Sequence, residues 1–282
     1  MIEGKGEIII VDQKAPDEVG ECFKRLPNIQ YFNLETPGMV AARNFGITQA
    51  KYEIILFVDD DIKPDLNLID GHLSAYTEEQ VGGVAGRILE ENCNNIVLHV
   101  DPRSLDPIHG WKYTHFDHLD SIDVMTVRGC NMSFRKELLL QIGGFDTNLL
   151  TFRDDSDVSF RIRALGYRIA FEPTAELLHL SASSGGTRPT EQQRNFVKNE
   201  LLMYRQHFCH YRDNLLFLCK HFSGRVLLIN IFQAYVAYVG ISRYPWRIII
   251  KNFCFFGALI QSAYRAKIDK PPYFSTNTSQ SL

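Results

Sequence analysis

Uninterrupted apolar runs that close on a carboxylate set the pattern of this chain. EIIIVD (7–12) and EIILFVD (53–59) are short and rich in β-branched residues, and their lack of a polar face predicts strands covered on both sides. Between them PDEVGECFKRL (16–26) has helical spacing, IQYFNLE (29–35) alternates as a strand does, and MVAARNFGITQAK (39–51) returns to helix. PDLNLIDGHLSAYTEE (64–79) carries a proline near a helix start, and VGGVAGRIL (81–89) is the next strand. The order βαβαβαβ predicts an α/β fold built on a doubly wound, mostly parallel sheet. Ligands of such sheets bind beyond the carboxyl ends of the strands, which places Asp12 and the triplet Asp59, Asp60 and Asp61 on one crevice.

Residues 90–123 carry no periodicity, and the HxxH of His115 and His118 within them is expected to be two surface histidines. VRGCNMSFRKELLLQIGGFD (127–146) predicts strand, helix and a Gly-Gly stop, and DDSDVSFRIRALGY (154–167) a helix with Val158, Ile162 and Leu165 on one face. RIAFEP and AELLHL follow as two short strands. Beyond the loop SASSGGTRP (181–189) the chain is expected to be helical, which divides it into residues 1–190 and a C-terminal extension, 191–282.

Composition changes this picture mainly at the C-terminal end. At 45% hydrophobic and 22% charged residues the chain is an ordinary globular protein. Its net charge of −3 hides an asymmetry: from Arg194 onward twelve Lys and Arg face only Glu200, Asp213 and Asp269. A basic tail on an acidic body suits an anionic surface. Residues 226–242 are uncharged but interrupted by Asn230 and Gln233, borderline for a bilayer span, whereas Arg243, Tyr244, Trp246 and Arg247 suit a helix at headgroup level. The six cysteines form no CxxC pair, which points to a reducing compartment without structural zinc. No cleaved leader is visible, so a cytoplasmic protein, peripheral at the cytoplasmic membrane face, is expected.

Three carboxylates in a row at a buried strand end repel one another unless something screens them. Asp-x-Asp on a tight turn suits Mg²⁺ or Mn²⁺ that also grips a diphosphate. In FRDDSD (152–157) Asp154 has the look of an N-cap and Asp155 falls in the first helical turn, where the helix dipole favours the ionised carboxylate that a general base requires. His179 ends a strand, and a neutral imidazole there suits a Mn²⁺-type site.

VAARNFGI (40–47), FVDDDIKPD (57–65), RGCNMSFRKELLLQIGGFD (128–146), RDDSDVSFRIRALGYRIAFEP (153–173) and the LLH before SGGTR stand in the order and approximate spacing of family 2 glycosyltransferases, which the chain resembles over about two thirds of its length. That resemblance implies a GT-A-like fold and sugar transfer from a nucleoside-diphosphate sugar to a glycan or lipid-linked acceptor, with no nucleic acid partner. By it Asp12 contacts the base, and Arg43 lies beside the nucleotide with Asp59 and Asp60. Asp59, Asp61 and His179 hold Mg²⁺ or Mn²⁺. Gly129, Asn131, Asp154 and Arg188 line the sugar and acceptor side, and Asp155 is the base of an inverting displacement.

Two departures from the family pattern stand out. Asp154 replaces the usual Glu of a Glu-Asp pair. The first acidic strand begins within ten residues of Met1, so a strand-helix unit of about thirty residues is expected to be lacking. A nucleotidyltransferase and a non-catalytic nucleotide-sugar-binding remnant are the alternatives.

Overall fold

A computed structural model describes residues 6–13, 22–23, 26–35, 38–90, 105–108, 111, 116–180, 196–239 and 245–268, with side chains from 208 and from 248 onward in the last two segments. Arg188, His115, Arg243, Tyr244, nearly all of the helix expected over 16–26 and the loop 181–189 lie outside these residues, as do the side chains of Trp246 and Arg247.

Each apolar run becomes a strand. β1 (Ile8–Asp12) pairs in parallel with β2 (Ile29–Asn33), and helix α1 (Met39–Gln49) leads into β3 (Ile54–Val58). After β4 (Ile62–Pro64) and α2 (Leu68–Ala75) come β5 (Val81–Glu90), β6 (Ile122–Val124), β7 (Asn131–Arg135) and α3 (Lys136–Gln141). Helix α4 (Asp154–Ala164) and the long β8 (Arg168–His179) complete the sheet region. Three helices follow: α5 (Phe196–His221), α6 (Gly224–Val239) and α7 (Pro245–Ile268).

The larger sheet runs β3-β7-β5-β8-β4, with β6 also on β8. Its strand directions differ from expectation. β5 and β8 are parallel, whereas β3–β7, β5–β7, β4–β8 and β6–β8 are antiparallel. An apolar run specifies burial of both faces but not the direction of its partner, so a mixed sheet and a parallel one share the same sequence signature. The expected strands RIAFEP and AELLHL are one strand, β8, in which the partner register jumps from Glu172 to Glu176 between Gly86 and Arg87 of β5. β4 and β6 were not foreseen, being too short to show a period. Among the described residues β1 pairs with β2 only and β3 with β7 only, so hydrogen bonds do not join the two sheets.

Helix α1 bridges them. Its Val40 and Ile47 enter the main core, while Phe45 meets Phe32 of β2 edge to face at 5.0 Å. The main core is centred on Met132, Phe134, Leu139, Phe145, Ile162 and Phe171, all at most 1% exposed. Burying a side chain of this size contributes about 1.5–3 kcal/mol. On α2, Gly71 lies so close to β8 that an added Cβ would sit 2.6 Å from the Ala175 backbone nitrogen, so only glycine permits this helix-sheet approach. A second core, around Trp111, Tyr211, Phe217 and Phe255, lies among α5, α6 and α7, and Phe160 of α4 packs against it.

Candidate active site

The β4–β8 pairing assembles the acidic end of the site. Ile62 stands opposite His179, and the Leu180 amide donates to the Asp61 carbonyl at 2.9 Å. The His179 Nε2 thereby reaches 3.3 Å from Asp61 and 4.0 Å from Asp59. Asp60, between them, is exposed. Burial raises the Asp59 carboxyl, and the positive charge of Arg43 draws it back down. The triplet's repulsion is thus relieved in two ways: the middle carboxylate is left in water and the outer two face cations or an imidazole.

Asp59, His179 and the sulfur of Cys130 lie within 4.8 Å of one another, close enough to share one ion. With Asp61 added, 3.3 Å from His179, two carboxylates and an imidazole stand together, a set that fits Mg²⁺ or Mn²⁺, which prefer oxygen and tolerate nitrogen. The thiol fits poorly, since Mg²⁺ and Mn²⁺ are hard ions that prefer oxygen to soft sulfur, and burial pushes Cys130 up to about 12. Cys130 was not foreseen as a neighbour of this site; the absence of a CxxC pair gave no reason to place it here.

Arg43, on α1, is the hub. Its guanidinium pairs with Asp154, donates to the Gly129 carbonyl at 3.2 Å, stands 3.8 Å from Asp59 and lies over the Phe145 ring. Gly129 in turn gives its amide to Asp155 Oδ2 at 3.0 Å, while the Ser156 amide and hydroxyl bind Oδ1 at 2.6 and 3.2 Å. A Cβ on Gly129 would meet the Arg43 guanidinium at 2.7 Å, so a larger residue here would push Arg43 from its place. An unbroken chain of contacts under about 4 Å therefore runs from Asp61 through His179, Asp59, Arg43 and Gly129 to Asp155.

Two expected residues, Asp154 and Asn131, have other positions, and Asp12 keeps its strand end. Asp154 is not the N-cap of α4: Arg153 takes that place, with φ at 68°, and Asp154 is buried against Arg43. Burial lifts the Asp154 carboxyl above its ordinary range, against the pull of Arg43. Asn131, expected to meet a sugar, is fully buried. Its amide donates to the carbonyls of Arg87 and Ala175, and its oxygen pairs with His72 Nε2 at 2.8 Å. With its donors and acceptor committed, Asn131 ties β7 to β5 and β8 instead of meeting a ligand. Asp12 is bound at its own strand end by the Tyr31 hydroxyl (2.8 Å) and the Gln13 amide (2.5 Å). His118 of the HxxH stands 3.9 Å from Asp120, as a surface histidine would.

The segment before Asp154 and Asp155 is held by α5. Asp213 accepts from the Thr151 amide and hydroxyl at 2.8 and 2.9 Å, and the Asn214 oxygen accepts from Arg153 Nε at 3.0 Å. The Arg153 guanidinium lies between Phe152 and Trp111, 4.4 and 4.5 Å from the ring centroids. A positive φ on a non-glycine residue costs about 1–2 kcal/mol, which these contacts offset. One turn further along α4, Asp157 is wholly buried and accepts from Arg161, Lys220 and His221, while Lys220 also reaches Asp146 at 2.7 Å. The C-terminal helices are thus fastened to the elements that carry the pair at 154 and 155. No local pattern in α5 marks Asp213, Asn214 or Lys220 for this role.

Known proteins resemble this chain in sequence and in fold. A family model described as glycosyl transferase family 2 matches residues 3–143. The chain is 28% identical over 179 residues to a poly-beta-1,6-N-acetyl-D-glucosamine synthase of Staphylococcus epidermidis, covering 60% of this chain and 41% of that protein. It is 25% identical over 176 residues to the synthase of the same name from Staphylococcus aureus, covering 61% and 42%. The chain therefore spans about two fifths of the length of these curated relatives. Among solved structures, GalNAc-T7 with UDP, GalNAc and Mn²⁺ superposes with a TM-score of 0.58 at 12% identity, covering 94% of this chain and 52% of that one. S. aureus TarS in complex with UDP-GlcNAc gives 0.52 at 14%, covering 92% and 72%. The expected GT-A-like fold is thereby established.

Proposed function

This chain belongs to glycosyl transferase family 2, and on that premise we propose that it moves a sugar from a nucleoside-diphosphate sugar to a hydroxyl of a glycan or lipid-linked acceptor, with inversion and with Mg²⁺ or Mn²⁺ bound. The observation that carries this reading is the connected set of Arg43, Gly129 and Asp155. It puts a carboxylate, held by the Gly129 amide, within one side chain's reach of the acidic triplet.

Asp155 takes the proton from the acceptor hydroxyl, whose oxygen attacks the anomeric carbon from the face opposite the diphosphate. Gly129 and Ser156 fix both carboxylate oxygens, so Asp155 need not reorient to act as a base. The single in-line displacement inverts the anomeric centre. Arg43, beside Asp59, supplies positive charge next to the departing diphosphate. The ion would be held by Asp59, Asp61 and His179, and when bound it supplies neutralisation of the diphosphate's charge. Asp12 serves the base and Arg188 the donor's diphosphate side in the same proposal.

The poly-N-acetylglucosamine synthases among the relatives, together with TarS in complex with UDP-GlcNAc, make UDP-GlcNAc the first donor to try. Incubating the full chain with UDP-, GDP- and dTDP-sugars is expected to release nucleoside diphosphate from one of them. Chelation with EDTA is expected to abolish this and added Mn²⁺ or Mg²⁺ to restore it. Persistence of full turnover in EDTA would sink the metal assignment, and no turnover of any donor would favour the non-catalytic alternative. His179→Ala and Asp61→Asn are each expected to raise the Mn²⁺ concentration for half-maximal activity by more than about tenfold. Cys130→Ser should leave it unchanged, because soft sulfur is a poor ligand for these hard ions. A Mn²⁺ titration of the three variants checks both statements.

A further inference from the structure

We propose that the outer faces of α6 and α7 form a docking surface for an anionic lipid bilayer, on which the two helices lie flat without crossing it. This goes beyond sugar transfer and is tested independently of it.

The inner faces of these helices are already used. Phe255 stacks toward Tyr211 of α5 at 6.3 Å, Ser262 donates to the Arg212 carbonyl at 2.9 Å, and both are buried. The two helices also grip each other: Tyr235 meets Phe255 at 5.3 Å and Phe256 at 6.1 Å, and its hydroxyl donates to Asn252 at 2.9 Å. What remains is an outer stripe of large apolar side chains recurring every three or four residues. Leu228, Phe232 and Val236 on α6 are 68%, 67% and 55% exposed, and Ile249, Phe253 and Ile260 on α7 are 59%, 78% and 73% exposed. Scattered exposed apolar residues are ordinary in soluble proteins, but a continuous two-helix face of them is not.

Charge selects the occupant. Residues 224–268 contain Arg225, Arg243, Arg247, Lys251, Arg265 and Lys267 and not one Asp or Glu, although the chain as a whole is acidic. A face meant for a second copy of this chain would meet the same unrelieved positive charge on its partner. An anionic headgroup layer complements it, and each Lys or Arg near such a layer adds to the attraction. Arg225 opens α6 and Lys267 closes α7, and both are exposed. Apolar side chains with basic residues at the margins are the pattern of helices that lie in the plane of a membrane interface. Among the described residues no helix is long and apolar enough to cross a bilayer, which leaves the interfacial position.

The test is flotation of the full-length protein with vesicles of phosphatidylcholine alone and of phosphatidylcholine mixed with phosphatidylglycerol, with sedimentation velocity run in parallel. The wild-type chain is expected to float with the mixed vesicles, weakly with the neutral ones, and less as salt is added. Phe232→Glu combined with Phe253→Glu is expected to lower the bound fraction by more than about tenfold without lowering the melting temperature, since both side chains are mostly in solvent. Arg225→Glu with Lys267→Glu, which spares the apolar stripe, should remove the preference for the anionic vesicles. Absence of flotation at low salt overturns the proposal, as does a concentration-dependent dimer that the Phe variants dissociate while vesicles do not bind. Donor turnover plays no part in these readouts, so their failure would not touch the enzymatic reading.

Discussion

Replacing Asp155 with Asn is expected to lower the rate of sugar transfer by about 10²–10⁴-fold, the usual contribution of a positioned general base. The substitution keeps the shape of the side chain, and its one amide oxygen can still accept from either the Gly129 or the Ser156 amide, which bind separate oxygens of the carboxylate. Arg43, Asp59 and His179 are untouched, so binding of the donor, measured by calorimetry with Mn²⁺ present, should change little. The expected signature is therefore a fall in kcat with the donor KM nearly constant. Full activity in the Asn variant would remove Asp155 from the mechanism and turn attention to the nucleotidyltransferase alternative, since phosphoryl transfer of that kind has no need of a base at this place.

Asp157→Asn, two residues further along the same helix, is expected to cost stability instead of chemistry. Burial by itself would raise the Asp157 carboxyl, but Arg161, then His221 and Lys220, hold it far below its ordinary value near 3.8. Neutralising it leaves Arg161 and Lys220 charged in a closed interior, and breaking a buried pair from one side typically costs about 3–5 kcal/mol. For a chain of this length that corresponds to a fall in melting temperature on the order of 10 °C. The sign of the pH effect follows from the lowered value: the unfolded carboxyl binds a proton more readily than the folded one. The contribution is thus fully present above the ordinary carboxylate pKa and is lost as pH falls below it. Thermal melts from pH 7 down to pH 3 should show the wild-type chain losing stability more steeply at the acid end than the Asn variant. Equal slopes would mean that Asp157 is not ionised in the fold. Asp154 acts in the opposite sense. Its raised carboxyl favours the folded state at low pH and gives that contribution up as pH rises through its folded value, so it partly offsets the loss that Asp157 brings at acid pH.

The two carboxylates show how a single helix turn serves two ends. Asp155 looks out toward the triplet, half-buried and held by backbone amides, whereas Asp157 looks inward to α5. FRDDSD alone shows four polar side chains at a helix start, and the dipole argument that singled out Asp155 applies equally to its neighbours. What distinguishes them is which residues of other elements arrive beside each one.

That difference marks the general boundary. The elements themselves were legible: the runs ending at Asp12 and Asp59, the helix 39–49, the strand-helix-Gly-Gly unit after residue 127 and the helix from Asp154 all lie where the periodicity puts them. They were legible because each is fixed by burial of its own apolar face, a property of a few consecutive residues. The motifs that resembled family 2 glycosyltransferases were local in the same way, and the match of that family's model over residues 3–143 agrees with the first three of them. Strand direction, the antiparallel docking of β4 that brings Asp61 to His179 across 118 positions, the inward turn of Asn131, the arrival of Cys130 beside Asp59 and the grip of α5 on the 151–157 segment were decided by packing between distant segments. Each is a choice among partners that local pattern leaves equivalent, and it is settled only when the whole interior must be filled and every buried donor, acceptor and charge must find a mate.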